Sequence, residues 1–219
     1  MVLSLKNTKY KENKMKNTFL DSYIDVDVSK LPYAILDLET TGFKPGSAKI
    51  TEVAIIFYED GKEERFETFV NPECHIPDEI TALTHITDEM VKDSPTISEL
   101  APTLYEMLKN KIFVSHNVPF DWSFFEYFFN QCLGINYKSP SLCTLNLSRK
   151  LLSLPSNKLE NVARFFNFSL VDAHRAMNDT EAVKVLLLNF FDVLKKKGVN
   201  TYKDLYASGL LYPEKPPCR

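Results

Sequence analysis

Two carboxylates one residue apart, Asp37 and Glu39, follow an apolar run and form the first candidate for a chemical site. Because side chains alternate along a β-strand, both carboxylates point to one face and the flanking leucines point to the other. Two anions held beside an apolar strand repel each other, so a cation or a proton must compensate them. Mg²⁺ and Mn²⁺ prefer carboxylate oxygens, which makes a divalent ion the natural compensation. Alone, the pair is equally consistent with a solvated acidic strand end.

A third carboxylate, Asp121, lies where a short apolar run gives way to a helical pattern. Pro119 suits the first turn of that helix, and Asp121 then lies in the same turn. Junctions of this kind carry the chemistry of many open α/β sheets. On its own, Asp121 is also explained by a favourable interaction with the helix dipole. The neighbouring His116 is more simply explained as a core histidine with satisfied hydrogen bonds.

The fourth carboxylate, Asp179, opens a long helical pattern and follows His174 by five residues. On a continuous helix that spacing turns through about 500°, which leaves the two side chains roughly 140° apart. We therefore expect His174 on the loop that enters the helix, leaning over a site to which Asp179 contributes. The alternative is a helix-capping aspartate and a surface histidine.

Together, these residues indicate a phosphodiesterase. Two metal ions about 3.5 to 4 Å apart can activate a water molecule and stabilise the attacking and leaving oxygens of an in-line displacement. A histidine can take the proton of that water. The residues that would form such a centre are Asp37, Glu39, Asp121, Asp179 and His174.

The segments around these residues resemble the motifs of the DEDDh (DnaQ-like) exonuclease family, which includes the epsilon subunit of DNA polymerase III and the exonuclease segment of polymerase C. Residues 37–42 resemble the first motif, residues 116–121 the second and residues 174–179 the third, in the order of the family. The resemblance covers about residues 32–195. It implies a ribonuclease H-like fold, two Mg²⁺ or Mn²⁺ ions held by the four carboxylates, and His174 as the general base.

The resemblance also implies contacts with the terminal nucleotide, at Thr40, Thr41, Phe120 and His174. His85 belongs to a segment, residues 83–87, that resembles a substrate-flanking segment of the family, but it stands where glycine is common. It either stacks on a base or is a surface loop residue. Three basic residues either line the path of the strand or form an ordinary solvated surface: Lys158, Arg164 and Arg175.

The elements that must position these residues follow an α/β pattern. Apolar and β-branched runs predict strands at 33–37, 50–58, 64–70 and 112–115, with turn residues at 59–62. Helical periodicity predicts helices at 98–109, 120–133, 159–166, 175–195 and 202–206. We expect one mixed sheet flanked by helices.

Three regions are expected along the chain. Residues 1–30 form a flexible lysine-rich N-terminal tail, residues 31–197 the exonuclease domain, and residues 198–219 a C-terminal tail. Apolar residues make the last segment a candidate for docking to a partner, namely Leu205, Tyr206, Leu210, Leu211 and Tyr212.

Composition limits the classes of protein. With 219 residues, 44% hydrophobic and 25% charged, the chain fits one globular domain. No apolar run approaches the roughly 18 residues of a membrane span, and no secretory signal is evident, so we expect no membrane partner and a cytoplasmic location. A net charge of −3 argues against a protein that coats long nucleic acid and suits an enzyme that grips a few terminal nucleotides.

The sequence thus predicts a two-metal 3′–5′ exonuclease that acts on single-stranded DNA in proofreading or repair and releases nucleoside 5′-monophosphates. One alternative is a ribonuclease that trims RNA 3′ ends, which contacts with the 2′-OH would decide. A second is a non-catalytic module that binds nucleic acid or a polymerase, although all five motif residues are retained. Since these residues include no polymerase domain, proofreading is expected to need a polymerase partner in trans. The oligomeric state stays open.

Overall fold

The computed structural model describes residues 20–171 and 173–217, and its centre is one six-stranded mixed sheet in the order β3-β2-β1-β4-β5-β6. Strands β1, β2 and β3 are antiparallel neighbours, β4 and β5 run parallel to β1, and β6 is antiparallel to β5. The strands are β1 (Tyr33–Thr40), β2 (Ile50–Glu59), β3 (Lys62–Phe69), β4 (Ile112–Ser115), β5 (Ser141–Cys143) and β6 (Leu211–Tyr212). The expected sheet flanked by helices is confirmed.

Helices cover both faces of this sheet. Those in the described residues are α1 (Asp78–Thr84), α2 (Asp88–Val91), α3 (Ile97–Leu108), α4 (Val118–Leu133), α5 (Thr144–Leu151), α6 (Leu159–Phe165), α7 (Ala176–Lys196) and α8 (Tyr202–Ala207). Buried residues of α3 and α4 form the core on one face, and those of α5 to α8 form the core on the other. None of the helices in the described ranges is long and apolar enough to cross a bilayer.

Strand β1 separates the two cores because its side chains alternate. Tyr33 and Ile35 belong to the core under α7, whereas Leu36 and Leu38 belong to the core under α3 and α4. Asp37 continues the first of these rows at the end of the strand. Because side chains alternate along β1, its two carboxylates lie on the face of the sheet that α7 covers.

Most predicted elements agree with the structure to within a few residues. Strand β1 runs three residues beyond the predicted end because Leu38 and Thr40 still pair with β2. Helix α4 starts at Val118, and its end is fixed by Gly134, whose φ of 68° is a left-handed conformation that glycine adopts without strain. The prediction missed the short elements α1, α2, α5, β5 and β6.

Residues 20–30, which the sequence assigns to the N-terminal tail, pack against the body of the protein. Short 3₁₀ helices at Leu20–Tyr23 and Val28–Lys30 precede β1, and Val28 is fully buried. The hydroxyl of Tyr33 donates a hydrogen bond to the carbonyl of Val28 at 2.6 Å, and Lys195 pairs with Asp27 at 2.9 Å. Apolar burial therefore fixes this segment despite its polar composition. The remainder of the predicted tail, residues 1–19, lies outside the described residues.

The predicted C-terminal docking tail is also corrected. Leu205, Leu210 and Leu211 are buried in the protein's own core under α7, and β6 pairs with β5. The apolar residues that suggested a partner are thus satisfied within the chain. Beyond them, the carbonyl of Glu214 accepts a hydrogen bond from the backbone of Ser139 at 3.1 Å, which continues the attachment toward Pro217.

We expect Leu205→Ala to lower the free energy of unfolding by about 3 kcal/mol, because it leaves a cavity in a well-packed core. Urea denaturation followed by circular dichroism measures the loss. The exposed neighbour Lys203 supplies the control, since Lys203→Ala should change stability by less than about 0.5 kcal/mol. Equal stability of the two variants would show that α8 is not part of the core.

Candidate active site

The end of β1 carries the first two predicted site residues. Glu39 is buried and Asp37 half-buried, on the side of the sheet that faces α7. The pairing of β1 with β2 shifts register between Glu39 and Thr40, so the strand ladder is irregular directly after the second carboxylate. Such an irregularity opens the ladder and re-aims the side chains beside it.

Asp121 reaches the same place from the first turn of α4. It is buried, and the hydroxyl of Ser115, the last residue of β4, donates a hydrogen bond to its Oδ2 at 2.7 Å. The position at the helix N-terminus places the carboxylate in the favourable field of the helix dipole. Parallel pairing of β4 with β1 brings this junction beside the end of β1.

Asp179 enters from the first turn of α7, and its own carboxylate helps to start that helix. The backbone N–H of His174 donates to Oδ2 of Asp179 at 3.0 Å. His174 is exposed, precedes the helix, and has a φ of 67°, as expected for a residue on the entering loop. Potential ligand atoms of Glu39, His174 and Asp179 all lie within 4.8 Å of one another.

Glu52 is part of the site's framework, and the prediction missed it. It pairs directly with Glu39 across β1 and β2 and is only 1% exposed. Its carboxylate accepts hydrogen bonds from the backbone N–H of Ala176 and from Nη2 of Arg175, both at 3.0 Å. Arg175, a predicted candidate for the strand's path, is therefore held by Glu52. A lone glutamate within the apolar run of β2 was the signal that could have indicated this role.

Burial raises the pKa of all four carboxyl groups in the cluster, and neighbouring charges add to the effect at three of them. Burial, followed by the charges of Asp121 and Asp179, raises the pKa of Asp37 well above its usual value. Burial and neighbouring carboxylates raise the pKa of Glu39 to about 8. Burial raises the pKa of Asp121 to about 7 against the opposing hydrogen bond from Ser115, and burial also raises the pKa of Asp179. All four carboxylates thus belong to one electrostatic unit.

The cluster has the donor chemistry of a divalent metal site. Hard cations such as Mg²⁺ and Mn²⁺ take carboxylate oxygens as ligands. Oδ1 of Asp179 is buried and accepts no hydrogen bond from the described residues. A buried carboxylate oxygen without a donor is costly unless a cation satisfies it. The residues present therefore fit a bound divalent ion.

Two of the predicted nucleotide contacts shape the loop after β1. The hydroxyl of Thr40 donates to the carbonyl of Gly42 at 2.6 Å, and the hydroxyl of Thr41 accepts from the backbone of Lys49 at 2.9 Å. Phe120 lines a cavity of about 450 Å³ together with Phe43, which the prediction missed. Phe43 is 85% exposed, which is unusual for a phenylalanine and leaves its ring open to a ligand.

His85 is exposed and occupies the C-cap of α1 with a φ of 60°. This left-handed conformation explains the glycine common there in the family that the sequence resembles, since glycine adopts it at no steric cost. In the described part of the chain, no hydrogen bond or ion pair joins His85 to the acidic cluster. Histidine therefore stands here in a backbone conformation that favours glycine. Its stacking on a base stays a prediction.

His116 is a core histidine with both ring nitrogens engaged, as expected. Nδ1 lies 3.0 Å from the hydroxyl of Thr144, and Nε2 lies 2.9 Å from the carbonyl of Asn157. Burial lowers its pKa to about 4, so the ring is neutral at pH 7. His116 therefore joins the loop before α4 to the segment before α6.

Comparison with known proteins extends this description. A model of the RNase_T family, described as exonuclease, matches residues 34–187. The PolC-type DNA polymerase III of Clostridium perfringens is 36% identical over 184 residues, which are 81% of this chain and 13% of that protein. The DNA polymerase III subunit epsilon of Aquifex aeolicus is 32% identical over 198 residues, which are 89% of this chain and 94% of that protein. The chain thus spans a small part of the first relative and nearly all of the second.

A solved structure of exonuclease X in complex with 5′ overhanging duplex DNA shares the fold, with a TM-score of 0.62 and 23% identity, over 81% of this chain and 99% of that chain. The fold places the carboxylates at the end of β1 and in the first turns of α4 and α7, where they form one acidic cluster. The chain belongs to the RNase_T exonuclease family and is a nuclease, and dependence on divalent metal is general in that family. The resemblance drawn from the motifs is confirmed.

Without metal, the protein should lose stability as the pH rises from about 4 to about 8. The raised pKa values of Glu39 and Asp121 mean that the folded protein keeps protons that the unfolded chain, with ordinary carboxyl pKa values near 4, has released. Unfolding is therefore easier at the upper end of this window. Urea denaturation in EDTA at several pH values measures the effect.

The control for that experiment is Asp37→Asn, which removes one charge from the cluster. This variant should be more stable than the parent protein near pH 8 and should show a shallower decline. Identical pH profiles for the two proteins would contradict the assignment of the decline to the acidic cluster.

We expect Glu52→Ala to loosen the entry to α7, because it leaves the guanidinium of Arg175 and the N–H of Ala176 without their acceptor. The free energy of unfolding should fall by about 2 kcal/mol, and amide exchange of residues 174–179 should accelerate. Glu52→Gln keeps an acceptor and should show a smaller change in both. Unaltered exchange in Glu52→Ala would show that the loop is held by other contacts.

Proposed function

We propose that this nuclease is a 3′–5′ exonuclease that removes nucleoside 5′-monophosphates one at a time from the 3′ end of single-stranded DNA. The observation that carries the proposal is the convergence of four carboxylates and one histidine at a single cleft. Membership of an exonuclease family supports cleavage at the end of a strand. The choice of DNA rests on the relatives named as DNA polymerase III proteins and on the DNA complex of exonuclease X.

The carboxylates would hold two Mg²⁺ or Mn²⁺ ions. These residues are Asp37, Glu39, Asp121 and Asp179, and each is delivered by the end of a strand or the first turn of a helix. When bound, such ions activate water and stabilise the attacking and leaving oxygens of the phosphodiester. Ser115 holds Asp121 and the backbone of His174 holds Asp179, so the orientation of these two carboxylates is fixed within the protein.

His174 is the general base in this proposal. Its side chain is exposed while its backbone N–H is tied to Asp179, so the ring can reach a water molecule at the mouth of the cleft without losing its position. The ring nitrogen accepts the proton of the attacking water and passes it to solvent. Glu52 acts as a positioning residue because it fixes Arg175 and Ala176, which follow His174 directly.

The terminal nucleotide would lie between the loop after β1 and the start of α4. Thr40 and Thr41 fix the shape of that loop through their hydroxyl contacts. The rings of Phe43 and Phe120 line the adjacent cavity, where they can stack on a base. Stacking of this kind tolerates every base, as an exonuclease requires.

The proposed domain differs from the one expected from sequence. We propose that the exonuclease domain extends over residues 20–217, because both of the flanking segments contribute buried residues to its core. Proofreading would require a DNA polymerase as partner, which would place the protein in the cytoplasm. Leu205 and Leu211 are buried, so their side chains are not available to such a partner.

The first test compares 5′-labelled single-stranded DNA and RNA of equal sequence with Mg²⁺, with Mn²⁺ and with EDTA. A metal-dependent ladder that shortens from the 3′ end, faster on DNA, is the expected result. Asp37→Ala should reduce the rate by about a thousandfold or more, because it removes a metal ligand. His174→Ala should reduce it by about a hundredfold to ten thousandfold, the usual contribution of a general base.

His75→Ala is the matched control, since His75 is an exposed histidine whose partner is Asp88, and it should retain the parent rate. Faster shortening of RNA would identify a ribonuclease. Folded protein that binds either strand and metal without turnover would overturn the enzymatic proposal and indicate a binding module.

A further inference from the structure

A groove between α5 and α6 starts at the loop that precedes Asp121. Its first part is a cavity of about 510 Å³ that begins at His116 and Asn117, on the loop joining β4 to α4, and reaches Arg149 and Lys158. A second cavity of about 300 Å³ shares Pro155 and Ser156 with the first and continues to Arg164 and Phe165. The groove is therefore continuous with the loop that delivers Asp121 to the cleft.

The groove is basic in a protein whose net charge is −3. Arg149 and Lys158 line its first part, Arg164 lines its second part, and neither lining contains a carboxylate. Within residues 20–171 and 173–217, these three cations form no ion pair. Their exposed acidic neighbour on α6, Glu160, lies outside both linings. The uncompensated positive charge is thus directed at the groove.

Internal hydrogen bonds hold the wall of the groove in place. The ring of His116 joins Thr144 to the carbonyl of Asn157, and the side chain of Asn157 accepts a hydrogen bond from the hydroxyl of Ser148. Further along, the amide of Asn161 donates to the hydroxyl of Ser156 at 2.9 Å. The segment before α6 is therefore preorganised, which lowers the entropy lost when a ligand binds.

The far end of the groove has an exposed aromatic ring. Phe165 is 51% exposed and packs edge-on against Phe166, with the ring centroids 5.1 Å apart. Arg164 adjoins it in the chain. Cations that track a phosphate backbone, alternating with an aromatic face that stacks on unpaired bases, are the features of sequence-independent binding of single strands.

We propose that this α5–α6 groove binds the single-stranded nucleic acid upstream of the nucleotide in the cleft, with Arg149 and Lys158 on the phosphate backbone and Arg164 and Phe165 further along the strand. The inference rests on the proposed function, because the cleft must act on a strand end. Continuity with the Asp121 loop favours a strand over an acidic protein segment, since the same polymer then occupies both the cleft and the groove. Contacts here retain the strand while terminal nucleotides are released.

The test measures binding without turnover. A fluorescently labelled 20-nucleotide single strand and a two-nucleotide strand are titrated with the full chain in EDTA, with fluorescence anisotropy as the readout. The variant is the triple substitution Arg149→Gln, Lys158→Gln and Arg164→Gln. The control removes the same charge from exposed positions remote from the groove, with Lys196→Gln, Lys197→Gln and Lys203→Gln.

The triple variant should bind the 20-nucleotide strand on the order of 30-fold more weakly at low salt, and its slope of log affinity against log salt should be shallower by about 2, at about 0.7 per lost phosphate contact. Binding of the two-nucleotide strand should be unchanged, and the control should match the parent protein. Equal binding of the long strand by the triple variant and the control would overturn the proposal that the groove binds the strand.

Hydrolysis of the p-nitrophenyl ester of thymidine 5′-monophosphate separates this result from the proposed function. That small substrate reaches only the cleft, so the triple variant should cleave it at the parent rate in Mn²⁺. If the parent protein cleaves this substrate and the triple variant still binds the long strand normally, the proposed strand-binding role of the groove is rejected and the proposed function stands. No cleavage by the parent protein would reject the proposed function. The binding comparison would still show whether the groove binds the strand.

Discussion

Mutual repulsion among four carboxylates is the constraint on which this structure depends. Their burial in one cleft raises the pKa of each carboxyl group, so the fold must supply compensation from its backbone and its polar side chains. Two helix N-termini provide part of it, because Asp121 and Asp179 lie in the first turns of α4 and α7. Ser115 supplies a hydroxyl, and Arg175 compensates Glu52, which would otherwise stand as a fifth charge opposite Glu39. A bound divalent cation would compensate the negative charge that remains.

The site was predictable where local rules and the global fold agree. Alternation along β1 placed Asp37 and Glu39 on one face, and the five-residue spacing placed His174 on a loop before Asp179; the structure has both arrangements. Glu52 was not predictable in the same way. Its role depends on β2 lying beside β1 and beneath the start of α7, and no spacing within the sequence encodes that proximity. Phe43 was missed for a related reason, since only the packing of the surrounding loop reveals that its ring stays exposed.

The limits of the domain were harder to predict than its centre. Residues 20–30 are polar in composition, yet a few apolar side chains such as Val28 anchor them to the core, and composition averages hide such anchors. At the other end, Leu205 and Leu211 were read as a surface for a partner, whereas they fill the core under α7. An apolar residue in a short element carries no information about which surface covers it. The three residues of β5 and the two of β6 are too few to define a periodicity.

The pairing of β6 with β5 has a consequence for the synthesis of the protein. Strand β5 is complete when residue 143 has been made, but within residues 20–171 and 173–217 its outer edge pairs only with residues 211 and 212. Between those two moments the nascent chain presents unpaired backbone groups at one edge of its sheet, which is a template for aggregation with other chains. The opposite edge, β3, carries Lys62, Glu63, Glu64 and Arg65, whose charges discourage such pairing. Until β6 is in place, the β5 edge is therefore the less protected of the two sheet edges against pairing with another chain.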